Sequence, residues 1–559
     1  MRRSILAILG AVEIDRDLRG LARRFGLQAT GSLPGVQVFA SSELPWRTLG
    51  EDSLVIGDLF APARMRADEK NLALAWGNFL SIAARPDEVQ IVRAPLTGHP
   101  LYWQRVGGAL LCASSPSLLD EIAPRRAVDW DFVAEALAYV NLRSARTGIS
   151  GVSELLPGSR LRWNGQRVSI ESIWSPWDHV ADQRRGAATD LAPELERRII
   201  ACTGNWIRSR PKSVLELSGG LDSSIVAAAL TAAEADFKAI TMATPGADGD
   251  ERRFARAVAD RCGFELVETL HDASAVDLAS TIEEPGFRPA AYSVLGGIDR
   301  AFVDALPGCD EAIFSGVGGD NIFAFDGTVA PIVDAFETLG PGPAAFRALR
   351  DRARAADATI WHAARLAWRA RRQGPRAGWR RDTSYLNEGR LPSGHPAHPW
   401  DEGAGAASQA KRNHAESIRR IIDFLDRPMR WRGRDVVAPL LSQPVVEYCL
   451  SVPSWTWFER GRDRIVARTA FASRLPPEII WRRGKGRLES LVAAAYLGQR
   501  RELGDLLLGG RLAENGLLDR SAIEAYLGRD LADGNFDYFR LIEIADVERW
   551  VRAVEAGSN

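Results

Sequence analysis

The chain has 559 residues, of which 46% are hydrophobic, and this is more apolar material than one core holds. We therefore expect two or three domains. With 71 Lys and Arg residues against 72 Asp and Glu residues, the chain has no strong net field, so a nucleic-acid or anionic-membrane partner is not expected. Five cysteines lie far apart without a C-x-x-C pair, which indicates neither a disulfide framework nor a zinc site.

The N-terminal segment MRRSILAILGAVEIDRD combines two arginines with a short apolar run. The run stops at Glu13 without a small-residue cleavage site, so we interpret it as a first β-strand rather than a signal peptide. No apolar stretch in the chain reaches the roughly 18 residues of a membrane span. The sequence therefore predicts a cytoplasmic protein.

Residues 1 to about 175 read as short strands separated by turns. The glycine-containing hairpin signals in VGGAL and WNGQR indicate antiparallel pairing. Residues 131–140 predict one of the few helices in this part. The pattern predicts a β-rich N-terminal layer.

From about residue 190, strand and helix signals alternate. The predicted elements are helices at 185–207, 223–234 and 250–262 and strands at SVLEL, KAITMAT, FELVETL and DEAIFSG. This alternation predicts a parallel sheet with helices on both faces. The Ala- and Arg-rich composition of residues 344–372 predicts a further helix. The Gly, Pro and Arg content of residues 375–407 predicts a loop.

Two of these strands end in glycine-rich turns, SGGLDSS and SGVGGD. Ligands of open parallel sheets bind beyond the carboxyl ends of the strands. The first turn joins glycines, which permit close backbone approach, to hydroxyl groups and to the start of a helix, and this combination favours phosphate. The residues of the expected phosphate site are Leu217, Ser218, Gly219, Gly220, Asp222, Ser223 and Ser224.

A carboxylate in a phosphate site requires a cation between the two negative groups. Asp222 would otherwise repel the phosphate, and magnesium is the natural bridge. Asp320 in the second turn supplies a second carboxylate. We therefore predict that Asp222 and Asp320 bind the metal and are catalytic. The alternative is that each turn is an ordinary strand-to-helix connection in which the aspartate caps a helix.

SGGLDSS resembles the pyrophosphate loop of ATP pyrophosphatases, and SGVGGD resembles the partner loop of their asparagine-synthetase-like branch. The resemblance extends over nearly the whole chain through IVRAPLTGHPLYW, LCASS, LLPGSRLRW, IWSPWD and RDVVAPLLSQPVVEYCLSVP. It implies an α/β protein of two domains. Residues 1–180 would form a β-rich, Ntn-hydrolase-like α+β domain of the glutamine-amidotransferase type. Residues 181–559 would form an adenine-nucleotide α-hydrolase-like ATP-pyrophosphatase domain, with a parallel sheet and helices.

In this superfamily ATP adenylates a carboxylate and releases pyrophosphate, and an amine then displaces AMP to form an amide. The resemblance therefore implies ATP and Mg²⁺ as cofactors. It also implies that Lys485, between two glycines, is the late catalytic lysine, although a solvated basic turn is the alternative. Ser315 and Gly316 would line the nucleotide. The backbone of Met242 would meet the adenine, unless this methionine belongs to the core.

Several other residues allow two interpretations each. Arg482 and Arg483 contact phosphate or belong to the surface. Glu283 and Glu284 contact the amine of the substrate or end a helix in solvent. The HPW segment at residues 398–400 belongs to a substrate loop or is exposed.

The departures from the superfamily pattern narrow the expected reaction. Arg2 follows Met1 and no cysteine precedes Cys112, so we expect a structural N-terminal domain without glutaminase activity. The GGDN ending, the Arg/Ala-rich insertion and HPW look most like lasso peptide cyclases (macrolactam synthetases). That likeness implies a ribosomal precursor peptide whose Asp or Glu side chain is joined to its own N-terminal amine. It also implies a leader peptidase and a leader-recognition protein as partners.

Two other functions stay open on the sequence. One is a β-lactam synthetase or another amide ligase with a small substrate. The other is a catalytically inactive binding protein on the same fold, which the retention of Asp222, Asp320 and Lys485 disfavours. The first of these alternatives can be separated from a cyclase only by the substrate.

Overall fold

We describe the protein through a computed structural model. The described residues are 4–10, 18–61, 75–122, 127–181, 183–244, 249–271, 276–278, 280–282, 284–290, 292–306, 312–374, 379–425, 434–484, 489–531 and 535–557.

Two six-stranded antiparallel sheets form the N-terminal part. Its strands are β1 (Ile5–Leu9), β2 (Leu27–Leu33), β3 (Val36–Ser41), β4 (Trp46–Thr48), β5 (Ser53–Phe60), β6 (Trp76–Ala84), β7 (Val89–Arg93), β8 (Tyr102–Val106), β9 (Ala109–Ala113), β10 (Ser153–Glu154), β11 (Ser159–Trp163) and β12 (Val168–Ser172). Their orders are β10-β8-β9-β1-β3-β2 and β12-β11-β7-β6-β5-β4. Its helices are α1 (Leu18–Arg24), α2 (Pro116–Asp120) and α3 (Trp130–Ala138).

The first strand is buried on both faces. Ile5 and Leu9 pack into the core between the two sheets, whereas Leu6 and Ile8 pack into a second core on the opposite side. Because successive strand residues point to opposite faces, burial on both sides explains the unbroken apolar run. The predicted first strand is confirmed.

Both hairpins predicted from glycine signals are present. β8 pairs antiparallel with β9, and β11 pairs antiparallel with β12. The turns contain Gly107 with a φ of 57° and Gly165 with a φ of 90°, conformations that glycine adopts without steric cost.

A five-stranded parallel sheet forms the centre of the C-terminal part. Its strands are β13 (Ser213–Glu216), β14 (Phe237–Ala243), β15 (Glu265–Leu270), β16 (Ala312–Ser315) and β17 (Val436–Val437). Their order is β15-β14-β13-β16-β17. Leu215 and Val214 of β13 enter different cores on opposite faces of this sheet. The predicted fold class, a β-rich N-terminal part followed by a helix-covered parallel sheet, is therefore confirmed.

The remaining helices surround and extend this sheet. They are α4 (Pro176–Ala181), α5 (Ala188–Ser209), α6 (Leu221–Ala232), α7 (Arg252–Cys262), α8 (Tyr292–Ala305), α9 (Gly319–Ile322), α10 (Ala330–Leu339), α11 (Pro343–Ala355), α12 (Ile360–Gln373), α13 (Gln409–Leu425), α14 (Gln443–Ser451), α15 (Ile465–Phe471), α16 (Pro477–Ile480), α17 (Glu489–Gly498), α18 (Arg500–Leu508), α19 (Arg511–Glu514), α20 (Arg520–Leu527) and α21 (Asp537–Gly557). No described helix has both the length and the apolar character needed to cross a membrane.

The single helix predicted at residues 344–372 is two helices, α11 and α12. Asp357 adopts a φ of 49°, which no right-handed helix contains, and Thr359 caps α12 by accepting a hydrogen bond from the His362 N–H. The predicted loop at 375–407 contains only short 3-10 turns in its described residues, 379–407.

A buried charge cluster joins the two parts of the chain. Glu154 of β10 is fully buried and forms ion pairs with Arg93, Arg143 and Arg288. Burial opposes ionisation, but the three guanidinium groups outweigh it and lower the pKa of Glu154 to about 2. The division into domains at residues 180 and 181 stays a prediction.

Candidate active site

The two glycine-rich turns follow adjacent strands. β13 pairs with β14 on one side and with β16 on the other, and Glu216 lies opposite Ser315 in the β13–β16 register. The chain therefore runs from β13 towards one edge of the sheet and later returns on the other side of β13. Such a switch point opens a crevice beyond the strand ends.

Hydroxyl groups hold the first turn together. The Ser218 N–H donates to Ser223 Oγ at 3.2 Å, and Ser224 Oγ donates to the Gly220 carbonyl at 2.7 Å. Helix α6 begins at Leu221, within this segment, so its unpaired N-terminal N–H groups point towards the glycines of the turn. This arrangement suits a phosphate group.

The backbone of the same turn passes close to α7. Leu217 continues the sheet by one hydrogen bond to β14, and Gly219 then turns with a φ of 70°. A Cβ at Gly219 would lie 2.8 Å from Phe254 Cβ. Arg482 stacks 3.7 Å from the Phe254 ring centre and donates to the Gly219 carbonyl at 3.4 Å. Arg482 therefore lies at the predicted phosphate site.

The second turn packs against the start of α6 through bare backbone. A Cβ at Gly316 would lie 2.4 Å from the Ser223 nitrogen, and a Cβ at Gly319 would lie 2.3 Å from Asp222 Cγ. Gly318 has a φ of 93°. Only glycine fits these contacts, because any side chain would push the two turns apart.

Asp222 and Asp320 meet at one guanidinium group. Arg464 Nη1 lies 3.3 Å from both carboxylate oxygens of Asp222 and also pairs with Asp320. Burial opposes the charged form of Arg464, but Asp222, Asp320 and Asp463 outweigh it and raise the pKa of this arginine. The structure thus brings the two predicted aspartates together, 98 positions apart in the chain.

Arg464 was not among the predicted site residues. It occupies the cap position before α15 with a φ of 50°, where Ser, Thr, Asp or Asn is usual. The sequence held one sign of this role. Arg464 stands at a helix cap position, directly before the apolar residues Ile465 and Val466, where an arginine is unusual. Its partners could not be inferred, because Asp222 and Asp320 are far away in sequence.

The other predicted residues differ in where they lie relative to the strand ends. Ser315 is buried at the end of β16, and its hydroxyl accepts a hydrogen bond from the Val317 N–H at 3.3 Å. Met242 packs its side chain against the core below β14, and a backbone contact with adenine stays a prediction. Glu284 is exposed to solvent. Lys485 and Glu283 lie outside the described residues.

The HPW segment lies against the N-terminal part rather than at the strand ends. His398 is buried and accepts a hydrogen bond from the Trp400 N–H at 3.0 Å, and burial lowers the pKa of this histidine. The Trp400 ring lies 5.4 Å from that of Trp174. This segment is therefore a packing element in the described structure. Arg483 is exposed.

A cavity of about 280 Å³ lies beside the second turn. Asn321, next to Asp320, ties its wall together by donating to the Ser417 carbonyl on α13 at 2.9 Å. Burial raises the pKa of Glu416 in the wall, although Arg419 and Arg420 oppose this effect. The lining residues are Asn321, Ala324, Phe325, Asp326, Gly327, Thr328, Pro331, Ala410, Asn413, His414, Glu416, Ser417, Arg420 and Ser454.

The donor set at the strand ends fits a magnesium ion shared with phosphate. Two carboxylates already converge on one cationic group there. Among the described residues, no three His, Cys, Asp or Glu side chains form a cluster that would hold a metal unaided. Mg²⁺ is commonly bound by one or two carboxylates together with substrate phosphates and water, so the pair of Asp222 and Asp320 is compatible with such an ion.

Comparison with known proteins extends these observations. Residues 194–552 match the family model described as asparagine synthase. No individual curated protein sequence matches the chain significantly. A solved structure of glutamine phosphoribosylpyrophosphate (PRPP) amidotransferase from B. subtilis, complexed with ADP and GMP, is 8% identical, and the match covers 50% of this chain and 83% of that chain with a TM-score of 0.19. This structural likeness is too weak to carry an argument.

The family match spans well over half of the chain and includes both glycine-rich turns, the cavity wall and Arg464. The chain therefore belongs to the asparagine synthase family, a family of ATP-dependent amide ligases.

Proposed function

We propose that the protein activates a carboxylate by adenylation and then joins it to an amine. The observation that carries this proposal is the convergence of Asp222 and Asp320, from two phosphate-type turns, on one cationic group. A carboxylate is a poor acyl electrophile, and AMP is a far better leaving group than oxide. The strand ends would hold the nucleotide, and the adjoining cavity would hold the carboxylate.

Each group of the chain has a role in this proposal. The first turn and the N terminus of α6 bind the phosphates, while Ser315 and Gly316 lie under the nucleotide. Asp222 and Asp320 would hold Mg²⁺, which, when bound, neutralises charge on the departing pyrophosphate. Arg482 is a cation beside the first turn and stabilises negative charge that develops there, whereas Arg464 neutralises Asp222 and Asp320 until the metal ion takes its place. Lys485 stays a predicted catalytic residue.

The reaction has two steps. A carboxylate oxygen of the substrate bonds to the α-phosphorus of ATP as the bond from that phosphorus to the bridging oxygen of pyrophosphate breaks. The amine nitrogen then bonds to the acyl carbon, AMP leaves with its oxygen, and the amine loses a proton. Glu416 is our candidate proton acceptor, because it lines the cavity and burial raises the pKa of its carboxyl group.

Within this chemistry we propose a lasso peptide cyclase, which joins an Asp or Glu side chain of a ribosomal precursor peptide to the N-terminal amine. The sequence resemblance supports this choice, and a leader peptidase and a leader-recognition protein are the partners it implies. A cavity of about 280 Å³ is also near the size of sites for small ligands. A β-lactam synthetase or another small-substrate ligase is therefore the second candidate.

The test is pyrophosphate release from ATP and Mg²⁺ in the presence of candidate peptides or amino acids. For a cyclase we expect peptide-dependent release of pyrophosphate and AMP, and a peptide product lighter by one water. Formation of ADP instead of AMP would contradict the adenylation. Release with small amino acids and not with peptides would favour the second candidate.

Variants assign the observed activity to this site. We expect Asp222→Asn and Asp320→Asn each to lower pyrophosphate release by about 100-fold or more, since each removes one of the two carboxylates that would hold the metal ion. Asp236→Asn is the matched control, because Asp236 is exposed before β14, at the opposite end of the same sheet. Glu416→Gln should slow amide formation more than adenylation, which ATP–pyrophosphate exchange measures separately. Normal rates in both Asp222→Asn and Asp320→Asn would refute the site.

A further inference from the structure

Helix α12 presents two tryptophans to solvent. The exposed fraction is 85% for Trp361 and 56% for Trp368. Single exposed apolar side chains are common, whereas a continuous exposed apolar patch often marks a contact surface. Two exposed indoles on one helix are therefore informative if they lie on the same face.

The tryptophans alternate with arginines along one line of the helix. Trp361, Arg365, Trp368 and Arg372 are spaced by four, three and four residues, which places them on one helical face. All four are exposed. We call these four residues the α12 stripe. Its guanidinium and indole groups are already associated, since Arg372 lies 4.1 Å from the Trp368 ring centre.

The stripe lies opposite the face by which α12 is packed. Ala363 and Ala367 are buried in a small core together with Leu349 of α11 and Ile332 of α10. These alanines are offset from the stripe by about half a helical turn. Folding of the hairpin formed by α11 and α12 is thus accounted for without the stripe.

The hairpin is strongly basic in a chain of almost no net charge. Residues 343–373 contain eight arginines and two aspartates, whereas the whole chain has a formal net charge of −1. Asp351 is buried and pairs with Arg350. Among the described carboxylates, none forms an ion pair with Arg365 or Arg372. The charge of the stripe is therefore available to an acidic partner.

The hairpin also adjoins the candidate active site. A Cβ built on Gly461, three residues before Arg464, would lie 3.2 Å from Arg354 Cβ of α11. Arg352 donates to the Thr328 carbonyl at 2.9 Å, and Thr328 lines the cavity. Because α12 begins five residues after α11 ends, the Trp361 end of the stripe lies towards the site.

We propose that the α12 stripe binds an acidic segment of the polypeptide substrate outside the cavity. Carboxylates of the segment would pair with Arg365 and Arg372, and its apolar side chains would pack on the two indoles. This proposal rests on the proposed peptide ligase function. A membrane surface fits less well, because Arg365 interrupts the apolar line, whereas interfacial helices keep an unbroken apolar face with the charges beside it.

The test measures binding to the full-length protein by fluorescence anisotropy. The probe is a fluorescein-labelled twelve-residue peptide that repeats Glu-Leu-Asp-Leu, and its uncharged counterpart repeats Gln-Leu-Asn-Leu. We expect saturable, salt-sensitive binding of the acidic probe and at least tenfold weaker binding of the uncharged one, roughly the discrimination expected of two charge pairs.

Paired variants assign this binding to the stripe. One double variant is Arg365→Glu with Arg372→Glu, and the other is Trp361→Ala with Trp368→Ala. Each should lower the affinity for the acidic probe by about tenfold or more. The matched control is Trp46→Ala with Arg47→Glu, which alters an exposed Trp–Arg pair on β4. This double variant should bind the acidic probe as the parent protein does. Unchanged binding in both stripe variants would overturn the proposal. So would stripe-dependent binding of phosphatidylglycerol vesicles or of oligothymidine without stripe-dependent binding of the acidic peptide.

Kinetics separate this inference from the proposed function. With a peptide substrate that carries an acidic segment, the stripe variants should raise KM for the peptide and leave kcat unchanged. If the parent protein released no pyrophosphate with any peptide, the ligase proposal would fail, while the anisotropy comparison would still decide whether the stripe binds acidic polypeptide.

Discussion

At the scale of single residues, several ionisable side chains are buried beside the candidate site. His414 of α13 is buried, and its Nε2 lies 2.9 Å from the Ile322 carbonyl of α9. Burial, reinforced by the charge of Lys411, lowers the pKa of His414 to about 3. Burial likewise lowers the pKa of Lys411 to about 7. The helix that forms the cavity wall is thus held in place by a neutral imidazole.

This burial predicts acid sensitivity. The unfolded chain takes up a proton at His414 below about pH 6.5, whereas the folded chain does not until about pH 3. The stability that this residue contributes is therefore complete above pH 6.5 and decreases as the pH falls below it. Between about pH 7.5 and 5.5 the loss is about 1.4 kcal/mol.

Urea unfolding at the two pH values tests this prediction. His414→Gln should be less sensitive to acid than the parent protein by about that amount, whereas His362→Gln, at an exposed position on α12, should follow the parent. Equal pH sensitivity in parent and His414→Gln would contradict the assignment of a neutral imidazole.

At the scale of elements, the site depends on two turns that touch through glycine. The turn after β16 lies against the first turn of α6, and this contact holds Asp222 and Asp320 at the distance that one guanidinium group spans. The sheet fixes the separation of the two aspartates, since each turn follows a strand of the same sheet.

A methyl group at this contact should damage the site. Gly316→Ala would place Cβ 2.4 Å from the Ser223 nitrogen, so one turn must move. We expect a loss of about 1–3 kcal/mol in stability and at least a tenfold weaker affinity for ATP, measured by thermal unfolding and calorimetric titration. Gly296→Ala in α8 is the control, because a Cβ there meets open space. Unaltered ATP binding in Gly316→Ala would show that the turns do not form the nucleotide site.

The elements also show how far the sequence was informative. β13, β16 and their turns were predictable because each is a short apolar run that ends in glycines, in a region where strand and helix signals alternate. Arg464 and the cavity wall at Glu416 were not, because a helical pattern does not say which distant turns the helix packs against. The break at Asp357 was missed because a left-handed aspartate within an Ala- and Arg-rich stretch leaves the helical composition unchanged.

At the scale of the whole molecule, the two parts of the chain are joined by buried charge. The side chain of Glu154 has no exposure to solvent, and Arg93 and Arg143 reach it from the N-terminal part while Arg288 reaches it from the C-terminal part. A second junction is made by Arg210, which pairs with Asp58 of β5 and with Asp435 before β17. The relative placement of the two parts is therefore specified by several directional contacts.

Glu154→Gln should weaken this junction severely. The change removes the one carboxylate shared by three buried guanidinium groups, and such losses cost about 3–5 kcal/mol. Glu171→Gln is the control, since Glu171 also pairs with two arginines but on an exposed strand, where the cost is about 1 kcal/mol or less. Thermal unfolding of both variants measures the difference. Equal melting temperatures would show that the cluster does not hold the parts together.

The placement of Arg464 has a consequence for how the molecule is made. Two acidic turns that approach one another while the chain folds would repel, and the arginine supplies the opposing charge from within the chain. The two turns at the carboxyl ends of β13 and β16 can consequently fold into place before any nucleotide or ion binds. A nucleotide with its metal ion then binds to turns that are already in position, and the metal ion replaces the guanidinium group of Arg464 as the partner of the two carboxylates.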